Sequence, residues 1–240
     1  MKQRLDKVLL GQGLVSSRSQ AESFIRMGKV LVDDRLARKA GELVGPQNKV
    51  TLAVSERYVS RAGFKLASVA TQLRLDFTGK TVLDVGSSTG GFTDYALQHG
   101  ARKVWAVDVG TDQLHLSLRG DERIELHEKT DIRDFTPDEV PSIIVMDVSF
   151  ISSRDILPHL ADIAGPDTQI VIMVKPQFEA GKGQVRSGVI KNDTVRRGIL
   201  RNFELWAKGR FLIVDKADSE VAGSRGNRER FYLLKSVLKR

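Results

Sequence analysis

The chain has 240 residues, with 38 Lys and Arg against 30 Asp and Glu, 41% apolar residues and no cysteine. That composition excludes disulfides, thiolate metal sites and cysteine nucleophiles, and it fits a cytoplasmic globular protein of one large domain, or of an ordinary domain with a small one. Charge is divided unevenly, +7 over residues 1–65, −8 over 66–174 and +9 over 175–240, which suits a polyanion held at the ends and a small organic ligand at the centre, with an unevenly charged solvated surface as the plain alternative.

Leu5, Val8 and Leu9 form an i, i+3, i+4 stripe closed by Gly11 and Gly13, which predicts a first helix. A second follows Ser17, with Ala21, Phe24 and Ile25 on one face and Gly28 at its end; Ser17–Gln20 and Ser19–Glu22 both fit a capping box. Short strands are expected at Val30–Val32 and Val50–Leu52, with a polar turn at Asp33-Asp34-Arg35. Residues 1–54 therefore read as a small α+β unit, and 55–61, which lack periodicity, as a linker to a second domain over 62–240. Asp6 and Gln12 interrupt any signal-peptide core, and the longest apolar run, Thr168 to Val174, is strand-length, well short of the roughly 18 residues of a membrane span, so no membrane partner is expected.

Leu66, Val69, Ala70 and Leu73 predict a helix that opens the second domain. Strands are then expected at 81–85, 103–109, 123–128, 142–147 and 169–175, alternating with helices at 91–98, 111–118, 152–163 and 194–207. Strands such as Ile143–Met146 and Ile170–Val174 are apolar runs, as parallel strands buried on both faces should be. The pattern predicts an α/β doubly wound, mostly parallel sheet, closed by an antiparallel hairpin of 211–216 and 230–237.

Asp84, Asp108, Asp147 and Lys175 each fall at or next to the carboxyl end of a predicted parallel strand, the rim that lines the ligand crevice of open α/β sheets. One strand-end aspartate commonly caps the next helix; four charged residues on four strands point to a site. The first strand leads into Asp84-Val85-Gly86-Ser87-Ser88-Thr89-Gly90-Gly91-Phe92-Thr93, where glycines let a ligand approach the backbone. Ser88 takes the place of the second glycine of a dinucleotide motif, and no Gly-Lys-Ser/Thr of a P-loop follows. Together with Asp108, placed to accept from ribose hydroxyls, the loop implies a nucleoside ligand, either a dinucleotide or S-adenosylmethionine. His99, His115, His127 and His159 show no ligand spacing, and no metal is expected. Arg4, Lys7, Arg18, Arg26 and Lys29 lie off the apolar stripes of the first unit.

The 84–93 loop resembles that of the FtsJ-type RNA ribose 2′-O-methyltransferases, and the chain as a whole resembles the TlyA family of rRNA methyltransferases, also described as hemolysins. The marks are Ser60-Arg61-Ala62-Gly63-Phe64-Lys65-Leu66, Val107-Asp108-Val109-Gly110, Asp147-Val148-Ser149-Phe150-Ile151-Ser152, Val174-Lys175-Pro176-Gln177-Phe178-Glu179 and Gly226-Asn227-Arg228-Glu229. The first unit resembles the RNA-binding domain named for ribosomal protein S-four, through Arg4-Leu5-Asp6, Gly13-Leu14, Ser17-Arg18, Ala21, Ile25, Gly28 and Val30. The resemblance implies a Rossmann-like class I methyltransferase behind a small RNA-binding domain. It implies S-adenosylmethionine held by Asp84, Gly86, Ser87, Ser88, Gly90, Gly91, Phe92, Thr93 and Asp108, with Asp131 at the adenine amino group.

It further implies a Lys-Asp-Lys-Glu tetrad at Lys65, Asp147, Lys175 and Glu229, with Glu220 as the competitor for the fourth place. Lys175 would be the general base, oriented by Asp147 and Glu229, while Lys65 steadies the hydroxyl or a neighbouring phosphate. The implied partner is ribosomal RNA or a ribosomal subunit, met by Arg4, Lys7, Arg18, Arg26 and Lys29, and the implied target a cytidine ribose. Eleven residues follow Glu229, leaving little chain for gripping a second substrate, so the large subunit is the expected target, with Lys235, Lys239 and Arg240 able to touch phosphate. Two rivals of other classes are a membrane-lytic hemolysin and a catalytically silent rRNA-binding assembly factor. Membrane-leakage assays separate the first, and methyl transfer to rRNA the second.

Overall fold

The computed structural model describes residues 2–15, 17–26, 28–52, 57–181, 188–190, 192–223 and 226–237. The chain divides into two compact units, Met1–Arg57 and Tyr58–Arg240. Residues 55 and 56 of the expected linker, and Lys239 and Arg240 of the expected phosphate contacts, lie outside the described residues.

The first unit runs β1 (Gln3–Arg4), α1 (Leu5–Gly11), α2 (Arg18–Arg26), β2 (Val30–Val32), β3 (Arg35–Leu36), β4 (Leu43–Val44) and β5 (Val50–Leu52). An antiparallel sheet β3-β2-β5 and a short β1–β4 ladder enclose a core of Leu5, Leu9, Ala21, Ile25, Val30 and Val50. Ser17, not Ser19, caps α2, accepting from the Gln20 amide at 3.1 Å. The β2–β3 turn places both Asp33 and Asp34 at positive φ, 49° and 61°, as a tight hairpin requires. The two-residue strands β1, β3 and β4 were too short to read from periodicity.

The second unit runs α3 (Arg61–Ala70), β6 (Thr81–Val85), α4 (Gly91–Gln98), β7 (Lys103–Val107), β8 (Ile124–His127), β9 (Ile143–Met146), α5 (Ser153–Ile163), β10 (Gln169–Val174), α6 (Pro176–Glu179), α7 (Asp193–Ala207), β11 (Phe211–Asp218) and β12 (Arg230–Ser236). Among the described residues its strands form one sheet in the order β11-β12-β10-β9-β6-β7-β8. The pairs from β10 to β8 are parallel, whereas β12 is antiparallel to both β10 and β11. Alternate strand residues feed two cores. Val82, Val104, Val145 and Val171 pack with Leu66 and Val69 of α3 and Phe92 and Tyr95 of α4; Leu83, Trp105, Ile144 and Ile170 pack with Leu157 and Leu160 of α5 and Leu200 and Phe203 of α7. The expected doubly wound sheet with a closing hairpin is the observed fold.

Two local expectations give way. Tyr58, inside the expected linker, is buried, with its ring 5.1 Å from Phe64 and 5.3 Å from Tyr95, and the Val59 amide donates to Asp94 at 2.7 Å. Residues 58–61 thus belong to the second unit; a short run of bends anchored by one ring leaves no periodic trace. The helix expected at 111–118 is only a 3-10 turn over Leu116–Leu118. Asp112 has φ 53°, which breaks a helix, and Leu114 and Leu118 are buried while Leu116 between them is exposed.

Candidate active site

The chain leaves β6 for β7 on one side and returns to β9 on the other, so the loops part at the carboxyl ends of β6 and β9. In open α/β sheets that switch point is where ligands bind. A cleft of about 150 Å³ lies there, lined by Ala62, Asp84, Ser87, Phe92, Asp147 and Lys175 among others.

The first wall is the 84–93 loop. Gly86 has φ 78°, and a Cβ there would stand 2.8 Å from the Asp147 carbonyl, so only glycine lets the ends of β6 and β9 approach this closely. Gly90 caps α4 in the left-handed conformation, its amide donating to the Ser87 carbonyl at 2.7 Å. A Cβ on Gly91 would strike the Ser60 hydroxyl and Ala62, so glycine also seats α4 against the start of α3. Thr93 donates to Asp84 Oδ2 twice, from its amide at 2.9 Å and its hydroxyl at 2.6 Å. Asp84 Oδ1 is buried with no hydrogen-bond partner among the described residues. Burial, reinforced by the charges of Asp147 and Asp108, pushes the Asp84 carboxyl up to about 7 against the pull of Thr93. An orphaned carboxylate oxygen in a glycine-walled cleft fits a ligand that brings donors or positive charge, as the amino-acid end of S-adenosylmethionine does.

Asp108 closes β7 and accepts from the Ser88 amide at 2.8 Å and the Gly110 amide at 2.7 Å, tying the two loops together. Val109, which follows it, is 73% exposed, an apolar surface beside the carboxylate that sequence reading passed over. Asp131 does not join the cleft lining. Its carboxylate accepts from Arg133 Nη2 at 2.6 Å and from the Arg133 amide at 2.9 Å, and Arg133 holds it down at about 2. Its loop does reach Asp108, since the Thr130 amide donates to the Asp108 carbonyl at 3.0 Å.

Strand register assembles the charged residues on the other side. Asp147 follows β9, and Lys175 follows β10, whose Val174 pairs with Arg230 of β12, so Glu229 comes level with Lys175. Lys175 Nζ lies 2.6 Å from Asp147 Oδ1 and donates to Ser149 Oγ at 2.8 Å. Lys65, on α3, lies 2.5 Å from Glu229 Oε2, and this pair is nearly sealed from solvent. Glu220 is exposed, and Glu229 is the carboxylate that meets Lys65. Buried Asn227 turns the loop inward, accepting from the Ile190 amide at 3.1 Å and donating to the Gly188 carbonyl at 2.9 Å. At the mouth, Phe150 is 93% exposed at φ 66°, a conformation rare for an aromatic residue, and its ring lies 5.3 Å from Phe178. Both rings sit in motifs that flank Asp147 and Lys175, which was the available signal for them.

In the first unit, Asp6 is wholly buried and receives two forked guanidinium groups, Arg4 through Nε at 3.0 Å and Arg18 through Nη2 at 2.7 Å. These hold its carboxyl well below the usual range. Both arginines remain about half exposed, at 45% and 53%. Lys7 and Arg26 are exposed, and Lys29 lies 5.7 Å over the Phe24 ring.

Sheet order, glycine-walled cleft and strand-end carboxylates together define a Rossmann-like methyltransferase. Residues 58–236 match the family of FtsJ-like methyltransferases and residues 3–50 match the S4 domain. The chain is 42% identical to the 16S/23S rRNA (cytidine-2′-O)-methyltransferase TlyA of Mycobacterium tuberculosis, over 79% of this chain and 73% of that one. It is also 42% identical to the 23S rRNA (cytidine-2′-O)-methyltransferase TlyA of Campylobacter jejuni, over 75% and 71%. A solved Streptococcus thermophilus protein described as a hemolysin superposes with a TM-score of 0.78 at 36% identity, covering 98% of this chain and 88% of that one. This chain belongs to the FtsJ-like methyltransferase family, in the branch that carries an S4 domain and includes the TlyA proteins.

Proposed function

We propose that this protein transfers a methyl group from S-adenosylmethionine to the 2′-hydroxyl of a cytidine in large-subunit ribosomal RNA, in the cytoplasm. The observation that carries the reading is the Lys175–Asp147 pair at 2.6 Å in the same cleft as the orphaned Asp84 oxygen. Support for the substrate comes from the relatives, whose two names share 23S rRNA and cytidine 2′-O-methylation.

Asp84, the loop from Gly86 to Thr93 and Asp108 would hold the cofactor, with Asp131 at its base once Arg133 releases it. Bound there, S-adenosylmethionine supplies an electrophilic methyl carbon. A ribose hydroxyl is a weak nucleophile until its proton leaves, so the chain must supply position and a base. Lys175 would act as the base that takes that proton, with Asp147 orienting its Nζ. Glu229 holds Lys65, whose charge steadies the hydroxyl or the adjoining phosphate. Phe150 and Phe178 offer a base an apolar face, a contact that tolerates any sequence. Arg4, Lys7, Arg18, Arg26 and Lys29 dock the RNA backbone from the first unit.

The test is to incubate the protein with labelled cofactor and purified large or small subunits, then map 2′-O-methylcytidine. Label on a large-subunit cytidine is expected. Label on a base atom, or on small-subunit rRNA alone, would refute the assignment.

A further inference from the structure

Glu179 ends the motif that begins at Val174 and takes no part in the chemistry above, yet its side chain is only 1% exposed. A carboxylate drawn out of water needs compensating donors. Those it has among the described residues lie on one short stretch: Ser152 Oγ donates at 2.7 Å, the Ser153 amide at 2.6 Å, and Arg154 Nε lies 3.4 Å away. Ser152 ends the loop that starts at Asp147, and Glu179 closes α6, which starts directly after Lys175. The two segments bearing the reacting pair are therefore cross-linked in sequence order: Lys175 to Asp147 and Ser149, Phe178 to Phe150, and Glu179 to Ser152 and Ser153.

The outer links face substrate. Lys175 must hold its place against Asp147 and Ser149 while a ribose hydroxyl approaches, and Phe150 is open to solvent. The Glu179 side chain is the more deeply buried, 1% exposed against 11% for Lys175 and 16% for Asp147. It is also more than a helix cap, because Ser152 Oγ already accepts from the Arg154 amide at 3.2 Å at the start of α5. We propose that Glu179 is a positioning residue: its buried carboxylate fastens the 147–152 loop to the 175–179 segment, so that Lys175 and Asp147 keep their register as the substrate hydroxyl approaches. The proposal rests on the reading of Lys175 as the base.

The variants are Glu179→Ala, Glu179→Gln and, as a stability control in the buried face of α5, Ile156→Val, each in the full chain. Misplacing a reacting group by an ångström costs on the order of 100-fold, so Glu179→Ala should lower the single-turnover rate by about that factor while Kd for S-adenosylmethionine and KM for rRNA stay within about threefold. Gln keeps an acceptor for the Ser153 amide and offers a donor to Ser152 Oγ, so it should recover to within about tenfold of the parent. The control should keep the parental rate despite a lowered Tm. Parental turnover by Glu179→Ala, or an equal loss in the control, would overturn the proposal. Should Glu179→Ala not fold, Ser152→Ala removes the hydroxyl donor to Glu179 together with the α5 cap, whereas Ser152→Asn keeps a cap acceptor; Ser152→Ala should lose about tenfold at unchanged cofactor Kd, and no loss overturns the tie. A crystal structure of the variant gives a readout independent of turnover. The 2.6 Å Lys175–Asp147 contact should open beyond hydrogen-bond reach, and its retention would count against the tie. A parent protein unable to methylate rRNA would count against the proposed function instead, and the crystallographic distance would still decide the role of Glu179.

Discussion

Replacing Asp84 by Asn removes a charge that the fold holds out of water, and the effect can be worked out with its sign. In the folded protein burial pushes this carboxyl up to about 7, against 3.8 for the free group. Between those values the folded state keeps a proton that the unfolded state has lost, so stability is highest below the unfolded pKa and declines as pH rises to the folded one. At 1.36 kcal/mol per unit the full decline approaches about 4 kcal/mol, of which about 3 falls between pH 5 and pH 8. Asn can keep its carbonyl oxygen where Thr93 donates, at 2.9 and 2.6 Å. Its amide then falls where Oδ1 has no partner, a cost of about 1–3 kcal/mol that does not vary with pH. Urea unfolding of parent and variant at pH 5 and pH 8 isolates the titration as a difference of differences. The parent should lose about 3 kcal/mol more than the variant across that interval. Changes agreeing within about 1 kcal/mol would mean that Asp84 titrates like an ordinary carboxylate and that the burial argument is wrong.

Lys175→Ala should abolish methyl transfer while cofactor binding by calorimetry and Tm stay near parental, because a base acts on the transition state more than on the ground state; near-normal turnover would sink the assignment. Glu229→Ala strands the buried Lys65 ammonium and should destabilise by about 3–5 kcal/mol in denaturant unfolding, whereas exposed Glu220→Ala should stay within about 0.5 kcal/mol. Arg18→Ala, with Arg4 still holding Asp6, should weaken rRNA binding and lower the slope of log affinity against log salt by about 1, with cofactor affinity unchanged. An unaltered slope would remove Arg18 from the RNA contact.

Local sequence determined the sheet, because strands buried on both faces must be apolar runs: residues 143–146 and 170–174 stood out without any knowledge of their neighbours. It also marked the rim, since Asp84, Asp108, Asp147 and Lys175 each end such a run and the intervening glycines announce a tight turn. Short or aperiodic pieces escaped it. Tyr58 belongs to the second unit because one ring finds a pocket, and 111–118 fails as a helix because Asp112 is left-handed, although its buried Leu114 and Leu118 keep helical spacing. Only tertiary structure decided the partnerships. Antiparallel pairing of β12 with β10 brings Glu229 level with Lys175, and α3 packing on α4 carries Lys65 to meet it. The fastening of Glu179 to Ser152, 27 residues away, is likewise invisible in a string of letters. Periodicity and turn chemistry act over a few residues, whereas a buried charge is assigned its partner by strand register and helix packing across the whole domain.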